Sequence, residues 1–326
     1  MSPAWLVDPR RVNQPAPDLL TDPPLQPQRQ RSPGLAAWAA LLAVWVVWGS
    51  TYLAIRVADR TIPPFPMAAA RYLTAGLLLY PAAWLGSRRQ PQARAPARGS
   101  FAQWAGMAVV GTMLLAIGNG GVSYAERTLP SGLAALLVAS VPLWMALADQ
   151  VINGRRLRPS GWAALVIGLA GIAIVAQPHG DGAVLPVLVV LGASVSWGTG
   201  SVLAGRLPAP ASPLLGSAME MLAGGTVLVA LAAATSEAWP GHASVESLLA
   251  LAYLVGPGSL LAMTCYVIAL RRLPTSVVST YAFVNPVVAV ALGALLLGER
   301  LTISALVGGA VVVGSVALLL SRRSRQ

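Results

Sequence analysis

The sequence contains no lysine, and charged residues make up only 10% of its 326 positions. Without lysine there is no amine to form a Schiff base and no lysine-bearing phosphate loop. One cysteine, Cys265, and two histidines, His179 and His242, supply too little for a disulfide framework or a zinc site. Cys265 falls in an apolar run, and both histidines fall between runs. No metal, cofactor or catalytic residue is therefore expected. A soluble domain carries roughly 25% charged residues, so this chain is too poor in charge to dress a water-facing surface.

All 22 basic residues are arginine, and they give a net charge of +11. A nucleic-acid partner would require them on one face or stripe. They stand instead in short clusters between apolar runs, so no nucleic-acid partner is expected. The bias toward Ala, Arg, Pro and Gly points to a GC-rich bacterial genome.

Hydrophobic residues make up 56% of the chain. Ten apolar segments follow a polar, Pro-, Gln- and Arg-rich stretch over 1–33, which reads as a disordered cytoplasmic tail without a signal sequence. The first five segments run approximately 35–58, 66–86, 101–125, 130–151 and 160–177. The second five run 184–205, 212–234, 246–270, 274–297 and 302–320, and 321–326 form a second cytoplasmic tail. A bilayer core takes roughly 20 apolar residues per helix, and these runs are apolar all round rather than on one face. The fold class expected is all-α integral membrane, with ten transmembrane helices.

Arginine placement sets the orientation, because basic residues gather on the cytoplasmic side. With the N-terminus inside, seventeen arginines lie on the inner side and three, Arg60, Arg127 and Arg300, on the outer side. Both termini are then cytoplasmic, and the expected location is the bacterial inner membrane.

The two halves of the chain echo each other. At an offset of 144, Leu129-Pro130 matches Leu273-Pro274, and Pro142 matches Pro286. Gly154, Arg156, Leu157 and Ser160 then match Gly298, Arg300, Leu301 and Ser304. Earlier in each half the offset is 149, pairing Trp48-Gly49 with Trp197-Gly198, Pro64 with Pro213 and Gly76 with Gly225. Five helices per half is an odd number, so the second half (184–320) enters the membrane from the side opposite the first (35–177). Inverted repeats of this kind place a solute site near midplane between the halves.

The stretches Trp48-Gly49-Ser50-Thr51-Tyr52, Ala70-Arg71-Tyr72-Leu73 and Gly118-Asn119-Gly120 with Ala125-Glu126 carry a family resemblance. In the second half the same is true of Ser196-Trp197-Gly198, Glu220-Met221-Leu222 and Ser279-Thr280-Tyr281-Ala282-Phe283-Val284-Asn285-Pro286. Over 35–320 the chain resembles the EamA family of the drug/metabolite transporter superfamily. The resemblance implies two five-helix EamA-type repeats around a central cavity, and export of metabolites, amino acids or drug-like compounds.

Several residues could carry such transport. Glu220 reads as the only acidic residue well inside a span, and its repeat partner is Arg71. Charges at such depth cost roughly 2.5–3.5 kcal/mol on insertion scales, so they tend to be paired or functional. One or both could meet a zwitterionic solute, Glu220 could bind a coupling proton, or each could reach its nearer interface. Pro142 and Pro286 read as mid-helix kinks or hinges that free the carbonyls of Val138 and Ala282. Ser279, Tyr281 and Asn285 form a polar group in an apolar run; with Asn119, Tyr124 and Tyr266 they read as cavity lining. Trp48 and Trp197 lie deep within their spans, and Ser50 follows in the same motif. These three join the cavity set.

The leading function is thus a secondary exporter of small solutes working by alternating access, with the lipid bilayer as its surroundings and a monomer or homodimer as its form. A channel or facilitator without ion coupling stays open, as does an intramembrane lipid-modifying enzyme. The enzyme would need clustered Asp, His or Ser in the spans, and the channel a charged ring or filter repeat. Neither pattern is visible.

Overall fold

A computed structural model describes residues 34–88, 99–175 and 184–323. The tail over 1–33, His179 and residues 324–326 lie outside the described residues. Among the described residues every regular element is helical. In chain order these are α1 (Leu35–Ala58), α2 (Pro64–Arg88), α3 (Phe101–Glu126), α4 (Ser131–Asn153) and α5 (Pro159–Val175). Then come α6 (Val184–Ala204), α7 (Pro213–Ala234) and α8 (Val245–Arg272). A single turn, Thr275–Val278, leads into α9 (Tyr281–Leu297), and α10 (Ile303–Arg323) closes the chain.

Local chemistry accounts for the boundaries. Pro64, Pro159 and Pro213 stand at the first helical position, where a missing N–H is no loss and the fixed φ is already helical. Ser100 and Gln103 form a reciprocal capping box at the start of α3. Gly154 and Gly298 take left-handed φ values of 67° and 65° at the ends of α4 and α9, a conformation that a side chain resists.

Among the described residues six helices, α1, α3, α4, α6, α7 and α8, are long and apolar enough to cross a membrane. Leu77, Val166, Leu185, Leu295 and Ile303 stand exposed on the outer surface, where acyl chains rather than water meet them. The interior is closed by Leu41, Met67, Leu137, Leu143, Met219, Leu228 and Leu254, all essentially buried.

Helices α2 and α7 pack along each other, as do α5 and α10, and both contacts are reciprocal. A methyl group on Gly76 would lie 2.8 Å from the Leu222 side chain, and one on Gly225 would lie 2.8 Å from Leu73. In the other pair, a methyl on Gly171 would meet the Gly308 carbonyl oxygen at 2.9 Å, and one on Gly308 would meet that of Gly171 at 2.8 Å. Small residues here let two backbones approach closely, the usual means of joining helices in lipid.

Three helices depart from regular α geometry near the centre of the bundle. Thr112–Asn119 within α3 and Gly256–Leu261 within α8 are π-helical. Such stretches free carbonyls, which lipid cannot hydrate. Side chains take them up: Ser259 Oγ donates to the Leu254 carbonyl at 2.8 Å and Ser196 Oγ to that of Met113 at 2.9 Å. Helix α4 breaks at Ala139–Ser140 and restarts at Val141. Pro142 therefore occupies the first turn of a new helical segment rather than a mid-helix kink, whereas Pro286 does lie within α9.

Backbone contact at the α5–α10 crossing leaves no room for a side chain, while Gly314 on the same helix has nothing within 4 Å. Gly308→Ala is expected to destabilise the detergent-purified protein by about 1–3 kcal/mol, as overpacked sites do, and Gly314→Ala to leave its melting temperature unchanged. Equal melting temperatures for the two variants would show that the crossing is not held at backbone contact.

Candidate functional site

A cavity of about 450 Å³ lies between the two halves of the chain. Helix phase decides which residues reach it. On α1, Trp48, Thr51, Tyr52 and Ile55 line it, at the i, i+3, i+4, i+7 spacing of one helical face. Ser50, two residues from Trp48, points elsewhere: its hydroxyl bonds the Val47 carbonyl at 2.9 Å and shares a 2.6 Å hydrogen bond with the Tyr253 hydroxyl. On α3, Leu115, Asn119 and Val122 line the cavity. Tyr124 does not, and its ring stacks on Phe65 with centroids 5.9 Å apart. On α9, Tyr281, Ala282, Asn285 and Pro286 line it, while Ser279 sits in the preceding turn and does not.

Of the residues singled out in the sequence, the structure thus brings together Trp48, Asn119, Trp197, Tyr266, Tyr281 and Asn285, with Arg71, Glu220, Pro142 and Pro286 around them. Ser50, Tyr124 and Ser279 are left outside. Thr51, Tyr52, Ser201, Ser259 and Met263 also line the space and were not singled out. Thr51 and Tyr52 follow from Trp48 by helical spacing alone. Ser259 could not be found that way, because the π-helical stretch shifts the phase of α8.

Three rings form one apolar wall. Trp48 lies 5.2 Å from Tyr266 and 5.3 Å from Tyr281 by centroid, and the two tyrosines are 5.9 Å apart and edge-on. Charge sits at two further points. The Arg71 Nε donates to Ser259 Oγ at 3.0 Å, and its guanidinium lies 4.8 Å from the centre of the Tyr72 ring. Glu220 lines the cavity from α7. Because Leu73 meets Gly225 and Leu222 meets Gly76, Arg71 and Glu220 lie on opposite sides of that crossing. At 1.5 Å per residue they are offset by roughly 10 Å along the bundle.

The two ends of the bundle are built differently. At one end, carboxylates from the second half of the chain cap helices of the first. Glu299 accepts from the Ser131 and Gly132 N–H groups at 2.9 and 3.2 Å and from the Ser131 hydroxyl at 2.9 Å. Glu237 accepts from the Phe65 N–H at 3.1 Å and pairs with Arg127 at 3.5 Å. A negative charge at a helix N-terminus meets unpaired N–H groups and the positive end of the dipole. At the other end, where α6 leads into α7, the corresponding inter-half bond is neutral, from Gln103 Nε2 to the Ala209 carbonyl at 3.0 Å. The cavity reaches that second end, where Ala204, Ala209, Pro210 and Pro213 line it.

The capped end holds a separate polar vestibule of about 430 Å³, lined by Arg56, Asp59, Arg60, Arg127, Leu297 and Glu299. It shares no lining residue with the cavity. Burial pushes the Asp59 carboxyl up to about 8; Arg127 and Arg56 act against the rise and Glu237 adds to it. Between the two spaces lies Glu126, fully buried. Glu220 is therefore not the only acid set deep in the protein. In the sequence Glu126 directly follows the apolar segment 101–125 and reads as a boundary residue.

The sequence profile of the EamA-like transporter family matches residues 35–177 and 184–321. The chain belongs to the EamA-like transporter family. It is 37% identical over 289 residues to the uncharacterized inner membrane transporter YedA of Escherichia coli K12, covering 87% of this chain and 90% of that protein. It is 28% identical over 290 residues to a probable terminal-alkyne amino-acid exporter of Streptantibioticus cattleyicolor, covering 89% of this chain and 94% of that one. To a probable amino-acid metabolite efflux pump of Escherichia coli K12 it is 27% identical over 280 residues, 81% of this chain and 87% of that one. A crystal structure with 22% sequence identity superimposes with a TM-score of 0.58 over 90% of this chain and 100% of its own, a likeness of fold alone. As an EamA-like protein, the chain is a membrane-embedded transporter of small solutes.

Charge-assisted hydrogen bonds contribute about 1.5–3 kcal/mol each at the upper end of the usual range. Glu299→Ala removes the acceptor of three bonds that join the two halves. It is expected to lower the melting temperature of the purified protein clearly, with Glu299→Gln, which keeps one acceptor oxygen, falling between it and the unsubstituted protein. A Glu299→Ala variant as stable as the unsubstituted protein would show that the caps contribute nothing to holding that end shut.

Proposed function

We propose that this protein is an alternating-access exporter of small solutes that carry a carboxylate on an apolar or aromatic body, with amino acids as the best-fitting class. The observation that carries the reading is the cavity itself. A wall of three aromatic rings, an arginine and a glutamate converge from both halves of the chain on one space that opens toward one end of the bundle. Its volume falls within the roughly 300–1,000 Å³ of small-molecule sites. The names borne by two relatives, an amino-acid exporter and an amino-acid metabolite efflux pump, fit the same class.

In this reading Arg71 takes the solute's carboxylate, for which a guanidinium is suited, and Trp48, Tyr266 and Tyr281 hold its apolar part. The charges of an α-amino acid are too close together to span roughly 10 Å of bundle. Glu220, nearer the open end, therefore meets the ammonium group while the solute is still at the mouth.

Alternating access follows from two inverted repeats of five helices each, over 35–177 and 184–320, ten crossings in all. Support comes from the register of the two halves. Thr112 and Gly256, which begin the two π-helical stretches, are 144 residues apart, as are the left-handed Gly154 and Gly298. The mutual contacts of Gly76 with Leu222 and Gly225 with Leu73 are those of a two-fold relation. The arginine distribution supports a cytoplasmic side for both termini. The capped end then faces outward, and the conformation described is closed outside and open inside. A channel would need a path through both ends; the partition between cavity and vestibule favours a carrier.

The test is a thermal-shift and counterflow screen on purified protein reconstituted in proteoliposomes. Phenylalanine is expected to stabilise the protein and to exchange, while phenethylamine, which lacks the carboxylate, does neither. Arg71→Gln is expected to abolish phenylalanine exchange, and Trp48→Ala to weaken it by about 2–12-fold, the equivalent of 0.5–1.5 kcal/mol for lost aromatic contact. Equal exchange of the amine and the amino acid, unaffected by Arg71→Gln, would overturn the assignment.

A further inference from the structure

The partition between cavity and vestibule contains a carboxyl group that transport as described above does not use. Glu126 is fully buried, and neither carboxyl oxygen has a hydrogen-bond partner among the described residues. The same holds for both carboxyl oxygens of Asp59 at the end of α1. Glu126 lies one helical turn beyond Val122, which lines the cavity, and directly before Arg127, which lines the vestibule. Ile55 and Arg56 mark the same divide on α1, with Ile55 on the cavity and Arg56 on the vestibule.

The surroundings are mixed in charge. Asp59, Glu299, Arg56 and Arg71 all act on the Glu126 carboxyl across space, and Tyr52 faces it from α1. Arg127 and Glu237, paired with each other, act on Asp59, and Arg60 completes the vestibule wall. Arg56 stands near enough to neutralise a carboxylate, yet it donates to the Glu126 backbone carbonyl instead. An ionised carboxylate sealed from water without a donor costs several kcal/mol, and a neutral carboxyl costs far less. The dry wall therefore tolerates Glu126 with a proton on it and resists it without one.

We propose that Glu126, with Asp59 beside it, is a proton-binding site that keeps the vestibule end closed. With the wall shut, Glu126 is a carboxylic acid. When the wall opens, its O–H bond breaks, the proton passes to vestibule water, and the carboxylate left behind is hydrated and paired with the Arg56 guanidinium. Rebinding a proton from the vestibule lets the wall close. The sign follows from linkage: the closed form binds more protons than the open form, so rising pH favours opening. The inference rests on the carrier reading of two separate spaces but not on the identity of the solute.

The experiment uses the full chain in membrane vesicles with Cys265→Ser as background. Ile55→Cys reports opening, since Ile55 is only 2% exposed. Arg60→Cys, in the vestibule wall, marks the side from which a membrane-impermeant maleimide gains access. The labelling rate of Ile55→Cys, divided by that of Arg60→Cys at the same pH to cancel thiol ionisation, is expected to rise by about fivefold or more from about pH 6 to about pH 9. Glu126→Gln is expected to flatten that rise and Glu126→Asp to keep it. Asp59→Asn should move the midpoint to lower pH, because a negative neighbour that opposes ionisation is gone, and it decides the matter if Glu126→Gln does not fold. A flat profile in the unsubstituted protein, or a rise untouched by Glu126→Gln and Asp59→Asn alike, overturns the proposal. So does a profile that shifts when sodium replaces choline at fixed pH, which would assign the site to a metal cation. Phenylalanine counterflow on the same vesicles separates the two readings: flux with a flat profile leaves the carrier and removes the gate, and a pH-dependent profile without flux does the reverse.

Discussion

A polar group inside a bilayer can be satisfied only by the protein that carries it, because lipid offers neither donors nor acceptors. Every departure from regular helix described above is shaped by that constraint. The π-helical stretches in α3 and α8 free carbonyls, and Ser196 and Ser259 return hydrogen bonds to the backbone near them. Ser259 also accepts from Arg71, so one hydroxyl serves the backbone and the buried cation together. Both π-helical stretches thus border the central cavity, which Leu115, Asn119, Gly258 and Ser259 line, while Ile117 and Leu261 of the same stretches stand exposed.

The same constraint explains why the two ends differ. Glu237 and Glu299 accept from helix N-termini that would otherwise present bare N–H groups beneath a closed surface. They tie the second half of the chain to the first, so opening that end requires four carboxylate hydrogen bonds, two from backbone N–H groups of α4 among them, to be exchanged for water. At the other end a neutral bond, Gln103 to Ala209, joins the halves across the mouth. The conformation observed follows from this inequality, with the cavity reaching the weakly tied end.

Much of this was legible in the sequence, and the rest was not, for identifiable reasons. The helices emerge from apolar run length, because a run of about 20 residues has few other uses. At α2 and α8 the observed limits differ from the sequence segments by only two residues at most, whereas the segment over 274–297 is divided into the turn Thr275–Val278 and α9. Trp48, Asn119, Tyr281 and Asn285 reach the cavity because polar and aromatic residues in an apolar run have few other places to go. Ser50 and Tyr124 were misplaced by ignoring phase: two and five residues from a lining position turn a side chain through about 200° and 140° at 3.6 residues per turn. Glu126 and the caps made by Glu237 and Glu299 could not have been read at all. Their partners lie up to 172 residues away, and a carboxylate at the edge of a span looks the same whether it faces water or a closed wall.

If the halves are copies of one module, the differences between them become informative. At an offset of 144, Glu299 corresponds to Arg155 and Ser131 to Thr275. An arginine cannot accept from a helix N-terminus, so Arg155 cannot supply at the other end the bonds that Glu299 supplies here. Arg155 is instead exposed and 3.9 Å from Asp149, a pair that contributes little at such exposure. A symmetric carrier would populate its two closed forms equally. Here the sequence breaks the symmetry at the caps and leaves a bias toward closure at one end, which a ligand can overcome only through differential binding to the two forms. The direction of that bias, rather than the shared architecture of the repeats, is where this chain's individual behaviour is written.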